Sequence, residues 1–121
     1  MKIYIAGKIT GESKSSVQNK FFSAKTDLIK KAHKVMSPAV LLGNQDFEHE
    51  DYMHICFAMI DVCDAVYMLK DWQTSKGARM ELQYAADHRK EIFYEDEATR
   101  EKNFPRCLRA SGKQSNRLFK E

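Results

Sequence analysis

The sequence predicts an α/β fold, a small doubly wound parallel sheet of four to five strands with helices on both faces. Three observations point there. Short β-rich apolar runs alternate with segments of helical period along the chain. The connections between them are short, and strands joined through a helix pair in parallel because such neighbours require a crossover. The chain has 121 residues, 43% of them hydrophobic, enough for one core and too few for two domains of ordinary size.

The first run, "KIYIAG" over 2–7, is continuously apolar and ends in glycine, as a strand buried on both faces does. A helix follows from Ser15 or Ser16 as N-cap, with Val17, Phe21, Ala24, Leu28 and Ala32 at spacings of three and four and lysines on the other side. "HKVMSPAV" is the second strand, stopped by Pro38, which has no N–H to donate. A loop, "LLGNQDFEHED", leads to a helix over 52–63. Tyr52, Cys56, Met59, Ile60 and Cys63 share one side of it and Phe57 lies on another. Such a helix is buried on two sides, within the domain or against a second subunit, so a homo-oligomer through this helix is expected. "DAVYMLK" over 64–70 is the third strand, "DWQT" a loop, 75–88 the third helix and "KEIFYE" the fourth strand. This is a flavodoxin- or Rossmann-like order of elements, in which ligands bind beyond the carboxyl ends of the strands. "GKITGE" and "KDWQTSKG" gather at that edge.

Residues 1–96 form this domain and carry 13 Lys and Arg against 14 Asp and Glu; residues 97–121 carry 7 against 3, so the net charge of +3 sits in a basic C-terminal extension. The extension is expected to be solvated, or laid on a neighbouring subunit. Nucleic acid is not expected as a partner, because no aromatic and basic interleaving accompanies the charge. No apolar run approaches 18 residues and "MKIYIAGK" is too short a segment for a signal peptide, so a cytoplasmic protein without a membrane partner is expected. Cys56 and Cys63 lie roughly 10 Å apart along one helix, too far to bridge, and free thiols are expected. "HEDYMHIC" does not follow a recognised zinc spacing. No metal and no cofactor are expected.

The third helix, in "TSKGARMELQYAAD", carries the chemistry. Ala78, Leu82, Ala85 and Ala86 form its apolar stripe, while Lys76, Arg79, Gln83 and Asp87 form the wet face. Glu81 falls on the apolar side, where an ionised carboxylate is costly. With Thr74 or Ser75 as cap, the free N–H groups of the first turn and the helix dipole favour an anion at the end where Glu81 projects. Gly77, one turn earlier, leaves room for a ligand to approach the backbone. The alternative is a boundary carboxylate that reaches solvent or pairs with Lys8 or His88.

"IYIAGKITG" together with "CDAVYML…W..SKGARMELQYA" resembles the nucleoside 2-deoxyribosyltransferase superfamily, in particular a little-characterised bacterial and phage branch. The resemblance covers residues 2 to about 94. It implies cleavage of an N-glycosidic bond, or deoxyribosyl transfer, on a 2′-deoxynucleoside or its 5′-monophosphate. Glu81 matches the family's nucleophile, Gly77 the glycine one turn before it, and Tyr4 the first-strand tyrosine that approaches the glutamate. Ser75 resembles the phosphate-holding serine of the related 2′-deoxynucleoside 5′-monophosphate N-glycosidases. The loop with Gly7 and Lys8 is similar to theirs in wrapping the phosphate. Trp72 either stacks on the base or packs on the domain as a surface-loop anchor. The family usually has a second acidic residue on the helix before the third strand. Here Cys56 or Phe57 stands near that place, and neither Asp51 nor Asp61 aligns with it. That departure favours a non-catalytic nucleotide-binding or sensing module of the same fold; a glycosidase acting on NAD is a third reading.

Overall fold

The computed structural model describes residues 1–43 and 46–100. Among the described residues, four strands, β1 (Lys2–Ala6), β2 (Lys34–Met36), β3 (Ala65–Met68) and β4 (Glu91–Tyr94), alternate with three α-helices, α1 (Lys14–Lys30), α2 (His49–Asp61) and α3 (Lys76–Asp87). All pairings are parallel and the strand order is β2-β1-β3-β4. This is the doubly wound sheet the alternation of elements predicts. The chain builds outward from β1 to β2, then returns to the other side of β1 for β3, so the order reverses between β1 and β3.

Successive side chains of a strand point to opposite faces, and β1 uses both. Ile3 and Ile5 join Val17, Phe21, Ala24 and Leu28 of α1 on one face. Tyr4 and Ala6 join Cys56 and Ile60 of α2 and Ala78, Leu82 and Ala85 of α3 on the other. A run buried on both sides has no polar alternation, which explains why "IYIA" is apolar throughout. The same parity aims Tyr4 at α3. The glycine after the strand is sterically required: a methyl group on Gly7 would lie 2.5 Å from Leu69 Cδ1 and 3.0 Å from Leu69 Cβ, and Leu69 is itself buried.

Three boundaries differ from the sequence reading. Helix α1 is capped by Ser13, whose Oγ accepts the Ser16 N–H at 3.1 Å, so Ser15 and Ser16 lie inside its first turn. Ala32 is outside the buried stripe, in a left-handed conformation with φ 70°. The Ala32 and His33 amides return to the Ile29 and Leu28 carbonyls there and close the helix. Helix α2 starts at His49, three residues before the expected 52, because the Glu48 N–H donates to Asp51 Oδ2 at 2.9 Å and fixes the first turn.

Pro38 does end the second strand and opens a 3₁₀ turn, Pro38–Leu41, in which Ser37 Oγ accepts the Ala39 N–H. Met53, Cys56 and Ile60 of α2 are buried, whereas Ile55 and Val62 are exposed. Both described cysteines, Cys56 and Cys63, are free and buried. Cys107 and most of the basic extension lie outside the described residues. Among the described residues, no helix is long and apolar enough to cross a membrane.

Candidate functional site

A cleft of about 1260 Å³ opens at the carboxyl edge of the sheet. The loop after β1 forms one wall, with Gly7, Lys8 and Glu12. The first turn of α3, with Ser75 and Gly77, forms a second, and the start of α2, with His49, Tyr52, Met53 and Cys56, forms a third. Glu81 lines the cleft from the second turn of α3 and is only 5% exposed.

The Tyr4 hydroxyl donates to Glu81 Oε2 at 2.7 Å, and Tyr4 itself is wholly buried behind the carboxylate. Burial pushes the Glu81 carboxyl up to about 7, while hydrogen bonds from Tyr4 and from the Cys56 thiol act in the opposite direction by favouring the ionised form. Burial, and then the charge of Glu81, also raise Tyr4 well above the usual phenol range and push Cys56 up to about 12. Each donor therefore keeps its proton and holds it toward the carboxylate. The boundary alternative for Glu81 does not hold. His88 lies at the far end of α3, with its ring stacked on Tyr84 at 4.0 Å and its Nδ1 2.8 Å from the Tyr84 carbonyl. The Lys8 ammonium is 4.0 Å from Glu12.

Of the two candidate caps of α3, Ser75 is the one used: its Oγ accepts the Ala78 N–H at 3.0 Å. The amides of Lys76 and Gly77 belong to the open first turn, at the positive end of the helix dipole, and both residues line the cleft. A methyl group on Gly77 would meet Met53 Sδ at 3.5 Å and His49 Cε1 at 3.9 Å, so this is where the α2 and α3 walls converge. Gly7 and Lys8 border the same cleft. The Lys8 amide, however, is already engaged by Asp71 Oδ1 at 3.1 Å.

Trp72 is not in the cleft. The 3₁₀ turn Trp72–Thr74 rotates the indole into the core, 3% exposed, with its ring 6.0 Å from that of Tyr94. Its Nε1–H donates to Thr99 Oγ1 at 3.0 Å, which lets so large an amphipathic ring be buried. The packing alternative for this residue is the one realised, and its ring does not face the cleft to stack on a base.

Neither aspartate considered as a second acid reaches the site. Asp51 closes the first turn of α2, and Asp61, the last residue of that helix, accepts the Tyr84 hydroxyl at 2.7 Å. Asp64 accepts the Lys2 N–H at the start of β3 and is structural. Cys56 stands beside Glu81 in their place. The sequence reading missed His49 and Met53 as wall residues because it began the helix at 52. The signal that finds them is Glu48-x-x-Asp51, a capping pattern immediately before the apolar run.

Among curated proteins, none matches this chain. A family model, the domain of unknown function DUF4406, matches residues 1–94, which include β1 to β4, α1 to α3 and both residues of the Tyr4–Glu81 pair. On that match, the chain belongs to the DUF4406 family.

Proposed function

We propose that the protein cleaves the N-glycosidic bond of a 2′-deoxynucleoside or its 5′-monophosphate, with Glu81 as nucleophile and water or a second base as acceptor. The observation that carries this reading is a carboxylate 95% removed from solvent, tethered by the Tyr4 hydroxyl at 2.7 Å, on the inner wall of a cleft.

Loss of the base leaves positive, oxocarbenium-like charge at C1′. An ionised Glu81 stabilises that charge and captures the carbon as a glycosyl ester. The carboxylate is poorly hydrated, so its attraction for the developing cation is stronger than it would be in water. Tyr4 occupies Oε2 and orients the group. The Ser75 hydroxyl, already accepting from Ala78, retains its proton to donate, and with the open first turn of α3 it suits a 5′-phosphate.

Incubation with a panel of deoxynucleosides, their monophosphates and NAD, followed by assay for free base, tests the reading. Release that falls at least about a thousandfold in Glu81→Gln, with ligand binding retained, supports it, because the substitution removes the charge and keeps the shape. Tight binding with no release, insensitive to Glu81→Gln, points instead to a nucleotide-sensing module. Release from NAD alone points to the third reading.

A further inference from the structure

A base leaving from C1′ carries away the bonding electron pair and departs readily only if it gains a proton, and neither Asp51 nor Asp61 is in the cleft to provide one. Across the cleft from α3, the first turn of α2 brings an imidazole to the site: His49 lines the cleft, with its Cε1 3.9 Å from where a Gly77 side chain would begin. Glu81 lies one turn further along α3 than Gly77, about 6 Å of helix rise. Glu81 is buried and His49 is exposed, so the imidazole stands on the solvent side of the carboxylate. A sugar ring bound against Glu81 through C1′ would thus direct its base toward the His49 side.

We propose that His49 is the second catalytic residue of this site, the general acid that protonates the departing base; this rests on the glycosidic reading above. An ammonium group holds its proton too firmly to deliver it readily to a base near neutral pH, and a carboxyl does so only where burial raises it, as it raises Glu81, whereas an imidazole exchanges protons there. His49 is the one imidazole lining the cleft among the described residues. The Cys56 thiol, although adjacent to Glu81, keeps its proton because burial and the Glu81 charge oppose its ionisation.

The step balances. As the C1′–N bond breaks, its electron pair passes to the base, the imidazolium N–H of His49 transfers its proton to a base nitrogen, and a Glu81 oxygen bonds to C1′. Water then attacks C1′, and the C1′–O bond returns its electron pair to Glu81. The neutral imidazole takes the proton released by the water.

The test compares wild type, His49→Gln and Glu81→Gln on the four common 2′-deoxynucleoside 5′-monophosphates and on 7-methyl-2′-deoxyguanosine 5′-monophosphate. The methylated base already carries positive charge and leaves without a proton. His49→Gln should lose about a hundredfold on the fastest natural substrate and less than about threefold on the methylated one, while Glu81→Gln loses both activities. Equal loss on natural and methylated substrates, or no loss on either, overturns the role of His49 and leaves the glycosidic reading standing. A wild-type protein that releases base from none of the five, nor from the corresponding deoxynucleosides, with or without a free acceptor base, overturns both.

Discussion

At the scale of single residues, Glu81 places a cost on the fold that varies with pH. Burial raises its carboxyl from 4.5 to about 7, so the folded protein holds a proton that the unfolded chain releases. A group whose value is raised in the folded state contributes fully below the unfolded value and loses that contribution as pH rises through the folded one. Stability therefore falls between about pH 4.5 and 7 and levels off above, by about 3 kcal/mol at most. Glu81→Gln removes the titration and still offers an oxygen to Tyr4. Urea unfolding should show this variant equal to wild type near pH 4 and more stable by up to about 3 kcal/mol above pH 7. Identical pH profiles for the two proteins would show that Glu81 is not desolvated in solution. A catalytic site commonly accepts such a cost to keep a reactive group poorly hydrated.

At the scale of elements, α3 shows why much of the site was legible. One apolar stripe containing one acid and a glycine four residues before it occur within a single helix, so local period places these two on the cleft side, and Ser75 joins them as the cap of the same helix. Ser75→Ala removes the cap and should lower the free energy of unfolding by about 1 kcal/mol, whereas Ser75→Asp should largely retain it. Chemical denaturation of the two variants measures the difference. Other features depended on tertiary context. Trp72 follows a strand at the sheet's binding edge, a position that suits a ligand-facing ring, yet the direction of its side chain is set by a 3₁₀ turn and by Thr99, 27 residues away. The α2 wall was obscured because polar His49, Glu50 and Asp51 read as loop by composition, although a capping interaction makes them helix. Composition does not single out Ser13 as the α1 cap, because three serines stand within four residues and only backbone geometry distinguishes them.

At the scale of the whole molecule, two loops that meet at the reversal of strand order are fastened by Asp71. Its Oδ1 accepts the Lys8 amide, its Oδ2 pairs with the Lys20 ammonium from α1, and Lys20 also reaches Glu12 at 3.4 Å. These groups are only partly buried, so the clasp contributes modestly to stability, roughly 1 kcal/mol. Its larger effect is to hold the β1 loop beside α3. If the glycosidic reading holds, Asp71→Ala should raise KM about fivefold, the equivalent of roughly 1 kcal/mol, with a smaller change in kcat, because the loop borders the cleft while Glu81 is carried by α3. Steady-state kinetics on the best substrate of the panel resolves the two constants.

The Tyr4–Glu81 pair joins residues 77 positions apart in the chain, through β1 and α3. A nascent polypeptide released early, or one missing its third helix, retains the tyrosine and has nothing for it to hold. The pair therefore forms only once α3 has been made, and a chain that ends before Glu81 cannot assemble it.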